Sequence, residues 1–203
     1  MPELVDRFGD MAASVAADWY ESTRFQAVGG SFNARLADPV DPLRVQESTR
    51  WAVGPLFEGD PDGMMARLSG SVQRYVMDTS RGTIARNVSI DPRKPRFARV
   101  PTGSKTCAWC SLLASRGFVY LSRDTAGAHD HFHDKCDCQI VSTWDDAEAI
   151  DGYNPDELYG QYQAARQKII EDFGGRYSPK QEEIAAVMRR MFPESFTDGV
   201  FEG

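Results

Sequence analysis

Every cysteine and histidine of this 203-residue chain lies within residues 107–138. The four cysteines and three histidines are grouped in two short stretches, CAWC and HDHFHDKCDC. In a reducing compartment, clustered cysteines are more often metal ligands or redox groups than a disulfide framework. This segregation restricts the chain to folds that give the two stretches a common chemical role.

The spacing of these residues favours a metal site. Cys107 and Cys110 form C-x2-C, 22 residues (111–132) follow, and His133, Cys136 and Cys138 form H-x2-C-x-C. A C-x2-C step lets two thiolates converge on one ion, and residues two apart on an extended segment project to the same face. Five candidates exceed the four ligands of tetrahedral Zn²⁺, so the pattern predicts one structural zinc per chain and leaves open which candidate is excluded.

Three other interpretations of the cysteines are less consistent with the pattern. A redox dithiol is suggested because CAWC precedes the helical run SLLASRG, but the βαβ context is missing and two cysteines stay unexplained. Disulfides within CAWC or CDC would close small, strained rings. A zinc deaminase carries H-x-E before its C-x2-C, whereas here the C-x2-C comes first.

His129 and His131 form a separate candidate site. The run HDHFHD alternates imidazole with carboxylate, which suits a second metal or a general base. We favour a polar loop beside the zinc turn, since no nucleophile elsewhere has a role that the sequence fixes.

Composition and charge exclude several classes of protein. With 41% hydrophobic and 26% charged residues and a net charge of −7, the chain is typical of soluble globular proteins, and its acidity argues against general nucleic-acid affinity. The start MPELVDRFGD lacks a signal-peptide pattern, and no apolar run approaches the ~18 residues of a membrane span. We therefore expect a cytoplasmic setting and no membrane partner.

Apolar residues near the start recur at helical spacing and predict an amphipathic helix that ends before Gly29-Gly30. They are Leu4, Phe8, Met11, Val15 and Trp19. We interpret this stripe as a core face, and docking on a partner is the alternative.

Two further helices are predicted to start at Asp41-Pro42 and Asp60-Pro61, where an N-cap precedes proline at the first helical position. From Asn87 the helical pattern fails. The run NVSIDPRKPRFARVPTGSK holds three prolines and five basic residues, Arg93, Lys94, Arg96, Arg99 and Lys105. We interpret it as an extended, solvated connector, with an anion- or partner-binding strip as the alternative.

After the cysteines, CQIVSTW predicts a strand, and the stripe that ends at Phe173 predicts a helix that stops at Gly174-Gly175. A capping box that starts at Ser178 predicts the last helix. The tail FPESFTDGVFEG is either a frayed end or a docking peptide.

The expected fold class is mainly α with a small α+β zinc-binding central unit. The expected divisions are an N-terminal helical region (1–86), an extended connector (87–106), a Cys/His metal-binding unit (107–144) and a C-terminal helical region (145–203).

The runs ARVPTGSKTCAWCSLLASRGFVY, HDKCDCQIV and YNPDELYGQYQAAR together resemble the MuF-like minor head proteins of tailed phages that infect actinobacteria. The resemblance implies a minor capsid component that acts in head assembly, with portal, major capsid or scaffolding protein as partners and the virion, near the portal or capsid interior, as its location. It also implies that the shared motif elements are Cys107, Cys110, His133, Cys136 and Cys138. Many family members carry histidine where Lys135 stands, so that position is no ligand here.

Two further functions stay open beside this structural role. Some relatives are named capsid maturation proteases, but Ser111, Ser115 and Ser122 lack any recognisable nucleophile context. The second open function is a zinc-knuckle-like nucleic-acid module. Phe97 and Trp109 could stack on bases beside the basic flank, and such a module would make weak contact with packaged DNA.

Overall fold

The computed structural model describes residues 1–122, 136–145 and 149–198. In this part of the chain the fold is mainly helical with one small sheet of two strands, β1 and β2, which confirms the mainly α part of the expected fold class. The elements in chain order are α1 (Pro2–Val28), α2 (Pro42–Ala52), α3 (Gly54–Phe57), α4 (Pro61–Ile90), β1 (Arg96–Val100), α5 (Ala108–Ala114), β2 (Gln139–Thr143), α6 (Pro155–Asp172) and α7 (Gln181–Met191). None of the helices in the described part is long and apolar enough to cross a membrane.

The chain divides into two compact units. Among the described residues, the first unit comprises 1–96, 120–122 and 142–145, and the second comprises 97–119, 136–141 and 149–198. The first unit is built on long helices. The second combines short elements with the cysteine motifs.

In the first unit, α1 packs along α4 through small side chains. Gly9 lies so close to Thr79 that an added Cβ would come within 3.3 Å of the Thr79 methyl, and the Thr79 hydroxyl donates a hydrogen bond of 3.0 Å to the Gly9 carbonyl. Ala13, Ala16 and Ala17 are buried on the same helix. Small residues let the two backbones approach closely, so this face of α1 packs on α4.

The prediction that the larger apolar stripe of α1 forms a core face is wrong. Its five residues are between 40% and 68% exposed: Leu4, Phe8, Met11, Val15 and Trp19. The helix carries two apolar faces, and the buried one consists of Gly9 and three alanines together with Val5 and Tyr20. The predicted end of this helix before Gly29-Gly30 is confirmed.

A buried carboxylate, Asp91, joins the ends of α1 and α4. It accepts hydrogen bonds at Oδ2 from Arg24 Nε (2.8 Å), the Tyr20 hydroxyl (3.1 Å) and Trp144 Nε1 (3.2 Å), and at Oδ1 from the Arg93 backbone N–H (2.8 Å). Neither side chain of the Arg24–Asp91 ion pair is more than 6% exposed. Burial alone would raise the pKa of Asp91, but these hydrogen bonds hold it below its ordinary value.

The predicted starts of α2 and α4 are confirmed by their caps. The Asp41 carboxylate accepts a hydrogen bond from the Leu43 N–H (2.9 Å), and the Asp60 carboxylate accepts one from the Gly63 N–H (2.8 Å). Each satisfies an N–H that the first helical turn leaves without a partner, and proline follows each cap.

The prediction of an extended, solvated connector from residue 87 is wrong in two respects. Helix α4 continues to Ile90, because Asn87 and Val88 remain buried in the helix interface. Strand β1 then pairs with β2, and from Phe97 to Val100 each of its residues is buried. A strand with this burial pattern belongs to the core, even though it contains two arginines.

The core of the second unit is formed by α5, α6, α7 and one residue of the C-terminal tail. Leu112 and Leu113 of α5 pack with Ile169 of α6, Met188 of α7 and the buried Phe196. The strand predicted at CQIVSTW is confirmed as β2, and α6 ends at Asp172, before the predicted glycine pair.

The start of α7 differs from the prediction, and the packing of the C-terminal tail decides between the two interpretations of that segment. Helix α7 begins at Gln181 rather than at Pro179, and the Glu183 carboxylate accepts a hydrogen bond from the Lys180 N–H (2.7 Å), so one half of a capping box is formed, two residues further on than predicted. Phe196 is 4% exposed and Thr106 pairs with it in a parallel bridge. The described part of the tail therefore packs on its own unit.

Candidate metal centre

Cys107 and Cys110 are positioned by the start of α5. Cys107 is the N-cap residue, with extended backbone (φ −76°, ψ 151°), and its Sγ accepts a hydrogen bond from the Cys110 N–H at 3.2 Å. A thiol thus fills the position that Ser, Thr, Asp or Asn usually occupies. The C-x2-C spacing places both sulfur atoms at one end of this short helix.

Cys136 and Cys138 immediately precede β2 and meet Cys110. The Sγ atoms of Cys110 and Cys136 are 3.3 Å apart, and those of Cys136 and Cys138 are 3.2 Å apart. All three sulfur atoms lie within 4.8 Å of one another, and each residue is at most 4% exposed. The structure therefore brings cysteines from both motifs into one buried cluster, which we call the thiol cluster.

Asp137, between two members of the thiol cluster, fixes the loop that leads into Cys107. Its carboxylate accepts hydrogen bonds from the Thr106 hydroxyl (2.5 Å) and the Gly103 N–H (2.8 Å), and its carbonyl accepts one from the Thr102 hydroxyl (2.6 Å). An added Cβ at Gly103 would lie 2.7 Å from the Asp137 carboxylate, so the loop needs glycine for this approach. These bonds hold the two cysteine motifs together.

Asp198, in the C-terminal tail, supports the motif from another side. Its carboxylate accepts hydrogen bonds from the Ala108 N–H (2.9 Å) and from Arg189 Nε (2.7 Å). The Thr197 N–H also donates to the Thr106 carbonyl at 3.1 Å. Asp137 and Asp198 are positioning residues that the sequence analysis missed. The position of Asp137 inside C-x-C was the available signal for the first, whereas no local pattern marked the second.

The donor set fits a soft divalent cation. In a tetrahedral zinc site with Zn–S bonds of about 2.3 Å, sulfur atoms are separated by about 3.8 Å. The cluster spacings of 3.2 and 3.3 Å need only a small expansion to reach this value. Three buried thiols at such separations, with Cys107 next to Cys110, match a thiolate-rich site better than an oxygen-ligand site for Mg²⁺ or Ca²⁺.

The electrostatics of the cluster favour protonated thiols when no cation is bound. Hydrogen bonds with the Cys107, Cys136 and Cys138 thiols, together with burial, raise the pKa of Cys110 far above its ordinary value. The hydrogen bond with Cys110 and the charge of Arg99 lower the pKa of Cys138, but the hydrogen bond with Cys136 and burial raise it to about 12. Buried, protonated thiols are weak nucleophiles, and a metal must displace their protons to bind.

The sequence-predicted ligands divide into three groups. Cys110, Cys136 and Cys138 form the thiol cluster, and Cys107 lies beside it as the cap of α5. His133 lies outside the described residues, as do His129 and His131 of the second candidate site. All four cysteines are free thiols and lie in the described part of the chain.

The fold and the cluster define a class: a mainly helical protein whose two cysteine motifs converge on a buried site. The chain belongs to the VG15 protein family, whose model matches residues 1–165 and so includes all four cysteines. This is a phage protein family.

Two mycobacteriophage proteins are similar to the chain over most of its length. The Gene 15 protein of Mycobacterium phage D29 is 27% identical over 244 aligned positions, covering 96% of this chain and 84% of the relative. The Gene 15 protein of Mycobacterium phage L5 is 28% identical over 195 positions, covering 71% of this chain and 63% of the relative. The chain thus spans less than two thirds of the L5 protein. No solved structure matches it significantly.

Proposed function

We propose that this protein is a structural component of the phage head, a minor capsid protein of the MuF-like type, whose second unit is held together by one structural Zn²⁺. The observation that carries the proposal is the buried thiol cluster of Cys110, Cys136 and Cys138 in a chain of a phage protein family. The resemblance of the cysteine-bearing runs to minor head proteins supports the finer assignment.

Zn²⁺ would be held by Cys110, Cys136 and Cys138, with the fourth ligand supplied by Cys107 or His133. The ion would neutralise thiolates that the surrounding protein otherwise keeps protonated, and it would join the start of α5 to the start of β2. Such a cross-link suits a unit of short elements, because these have few residues of their own to bury.

We propose that the protein works in a multi-protein assembly with portal, major capsid or scaffolding protein. It would be located in the virion, at the portal or capsid interior, after a period in the host cytoplasm during assembly. Relatedness to phage proteins over residues 1–165 is consistent with this location.

The alternative of a capsid maturation protease has little support in the geometry. Ser111 and Ser115 are 1% and 8% exposed, and the Ser115 hydroxyl donates a hydrogen bond to the Leu112 carbonyl. A serine nucleophile must reach substrate and a general base. We therefore propose a non-enzymatic role.

The alternative of a nucleic-acid module loses two of its expected contacts. Phe97 is 1% exposed and Arg99 is 2% exposed, so neither side chain is presented for base stacking or phosphate binding. Arg93, Lys94 and Arg96 are exposed and leave a weak contact with packaged DNA as a secondary proposal.

Metal content on protein purified under reducing conditions tests the zinc site. We expect about one zinc per chain, with thiols that react slowly until a chelator removes the metal. Absence of bound metal in protein that retains its fold, with thiols equally reactive before and after chelation, would contradict the site.

Two variants distinguish between Cys107 and His133 as the fourth ligand. If His133 is the ligand, Cys107→Ser should keep the metal, because serine is also a good N-cap residue, and His133→Ala should weaken binding. If Cys107 is the ligand, the outcomes reverse. Cadmium-substituted protein gives a direct readout, since the thiolate-to-cadmium absorption reports the number of coordinating sulfurs.

The head assignment is tested separately in the phage. We expect the protein in purified particles by mass spectrometry, and defective or empty heads when its gene is interrupted. Its absence from particles, with normal heads in the interrupted phage, would contradict the structural role and leave the zinc site unaffected.

A further inference from the structure

The exposed apolar stripe of α1 is a feature of the first unit that neither its core nor the thiol cluster explains. Leu4, Phe8, Met11, Val15 and Trp19 recur at spacings of four, three, four and four residues. They form one continuous line of about 22 Å on a straight helix, on the side away from the small residues that pack on α4. An apolar line of this length on a charged helix marks an interaction surface.

The stripe is close to symmetric about its own midpoint, between residues 11 and 12. Leu4 and Trp19 are equally far from this point, as are Phe8 and Val15. A two-fold axis placed there would set Leu4 opposite Trp19 of the second copy, Phe8 opposite Val15, and Met11 next to its own equivalent. A two-fold interface between identical copies requires this kind of self-complementary patch.

Two opposite charges beside the stripe lie at positions that this two-fold axis would bring close together. Arg7 and Asp18 lie at the same edge of the stripe, on opposite sides of its midpoint, and both are exposed. In an antiparallel pair the same edges of the two helices meet, which brings Arg7 of one copy within one helical turn of Asp18 of the other. A parallel pair would place Arg7 opposite the other edge of the stripe, where Ala12 lies.

We propose that α1 is a self-association surface on which a second copy of this chain packs antiparallel through the stripe. The apolar side chains supply the affinity, and the two Arg7–Asp18 pairs select the antiparallel direction. The proposal depends neither on the zinc site nor on the role in the phage head.

The number of residues in the proposed interface sets the expected strength of this association. A standard interface uses roughly 20–30 residues a side. The stripe and its flanks provide fewer than half of these, so we expect a dimer that dissociates in the micromolar range, about 1–100 µM.

Sedimentation equilibrium on the full chain, metal-loaded and reduced, measures this directly. We expect a mass that rises with concentration toward twice the 22.6 kDa of one chain. Phe8→Glu should hold the chain as a monomer. The matched control is Phe57→Glu on α3, which adds the same charge at a position that is 85% exposed and off the stripe, and should leave the dimer intact.

A charge swap tests the antiparallel direction. Arg7→Asp should weaken the dimer about 2- to 30-fold, the range expected for loss of two exposed ion pairs, and Arg7→Asp with Asp18→Arg should restore it. Circular dichroism confirms that each variant is folded. A wild-type chain that stays monomeric at about 200 µM, well above the expected dissociation constant, would overturn the proposal and assign the stripe to a different protein. A dimer that survives Phe8→Glu would also overturn it.

Discussion

Each of the two units of this protein is stabilised internally by a different kind of interaction. The first unit contains two helices of 27 and 30 residues that pack along each other, and a buried carboxylate, Asp91, joins their ends. The second unit has helices of 7, 18 and 11 residues and brings four buried cysteines together. Long helices bury enough surface to be stable with only a positioning contact, whereas short elements gain stability from a cross-link.

Loss of one clustered thiol should have the largest effect and should affect the second unit alone. Cys110→Ser removes one of the proposed zinc ligands, and structural zinc contributes about 10 kcal/mol or more to the folding of small zinc domains. We expect rapid proteolysis within the second unit, while the helices of the first unit persist by hydrogen exchange. The control is Ser104→Ala, an exposed change just before the motif. Equal protease resistance of both variants would contradict the prediction that the thiol cluster stabilises the second unit.

Removal of the buried carboxylate should have the next largest effect, in the first unit. Asp91→Ala leaves Arg24 buried without its counter-charge, and breaking such a pair costs about 3–5 kcal/mol. Denaturant unfolding followed at the first-unit helices measures this loss. The control is Asp38→Ala, because the Arg86–Asp38 pair has an Asp side chain that is 90% exposed and should contribute little. Similar losses in both variants would show that burial of the pair is irrelevant.

Acid should destabilise the first unit through the same carboxylate. The pKa of Asp91 is lowered in the folded state, so its contribution is complete above the unfolded value, about 3.9, and is lost as pH falls through the folded value. We expect unfolding free energy to fall below about pH 4, by less than the full effect of Asp91→Ala. The Asp91→Asn variant should lose part of this pH dependence. An unchanged pH profile in that variant would assign acid sensitivity to other carboxylates.

The smallest effect concerns the C-terminal tail. Asp198→Ala removes the acceptor of the Ala108 N–H and of Arg189, at a partly exposed site, and should cost about 1 kcal/mol in the second unit. Faster loss of metal to a chelator is the expected readout, since Ala108 follows Cys107. Glu194→Ala, which removes a pair whose Glu side chain is 96% exposed, should leave this rate unchanged. Equal rates in the two variants would show that the tail does not support the motif.

Local patterns predicted much of the secondary structure. The caps at Asp41 and Asp60, the glycines after Val28 and the strand after Cys138 each depend on a few adjacent residues, and each is found in the structure. The spacing of the cysteines also predicted that the two motifs would meet. Local signals predict reliably when the physical cause is itself local.

The sequence by itself determined the helical composition, because helix periodicity and capping act over a few residues, and it predicted the convergence of the thiols, because each short cysteine motif signals a metal-ligand role. Only the tertiary structure decided which face of α1 is buried, because two apolar faces share one helix and close packing on α4 favours Gly9 and the alanines over larger side chains. The tertiary structure also decided the partners of Asp91 and Asp198, which are brought close by contacts that span up to 90 residues of chain. No local pattern encodes such pairs, since each partner is an ordinary residue until the chain has folded.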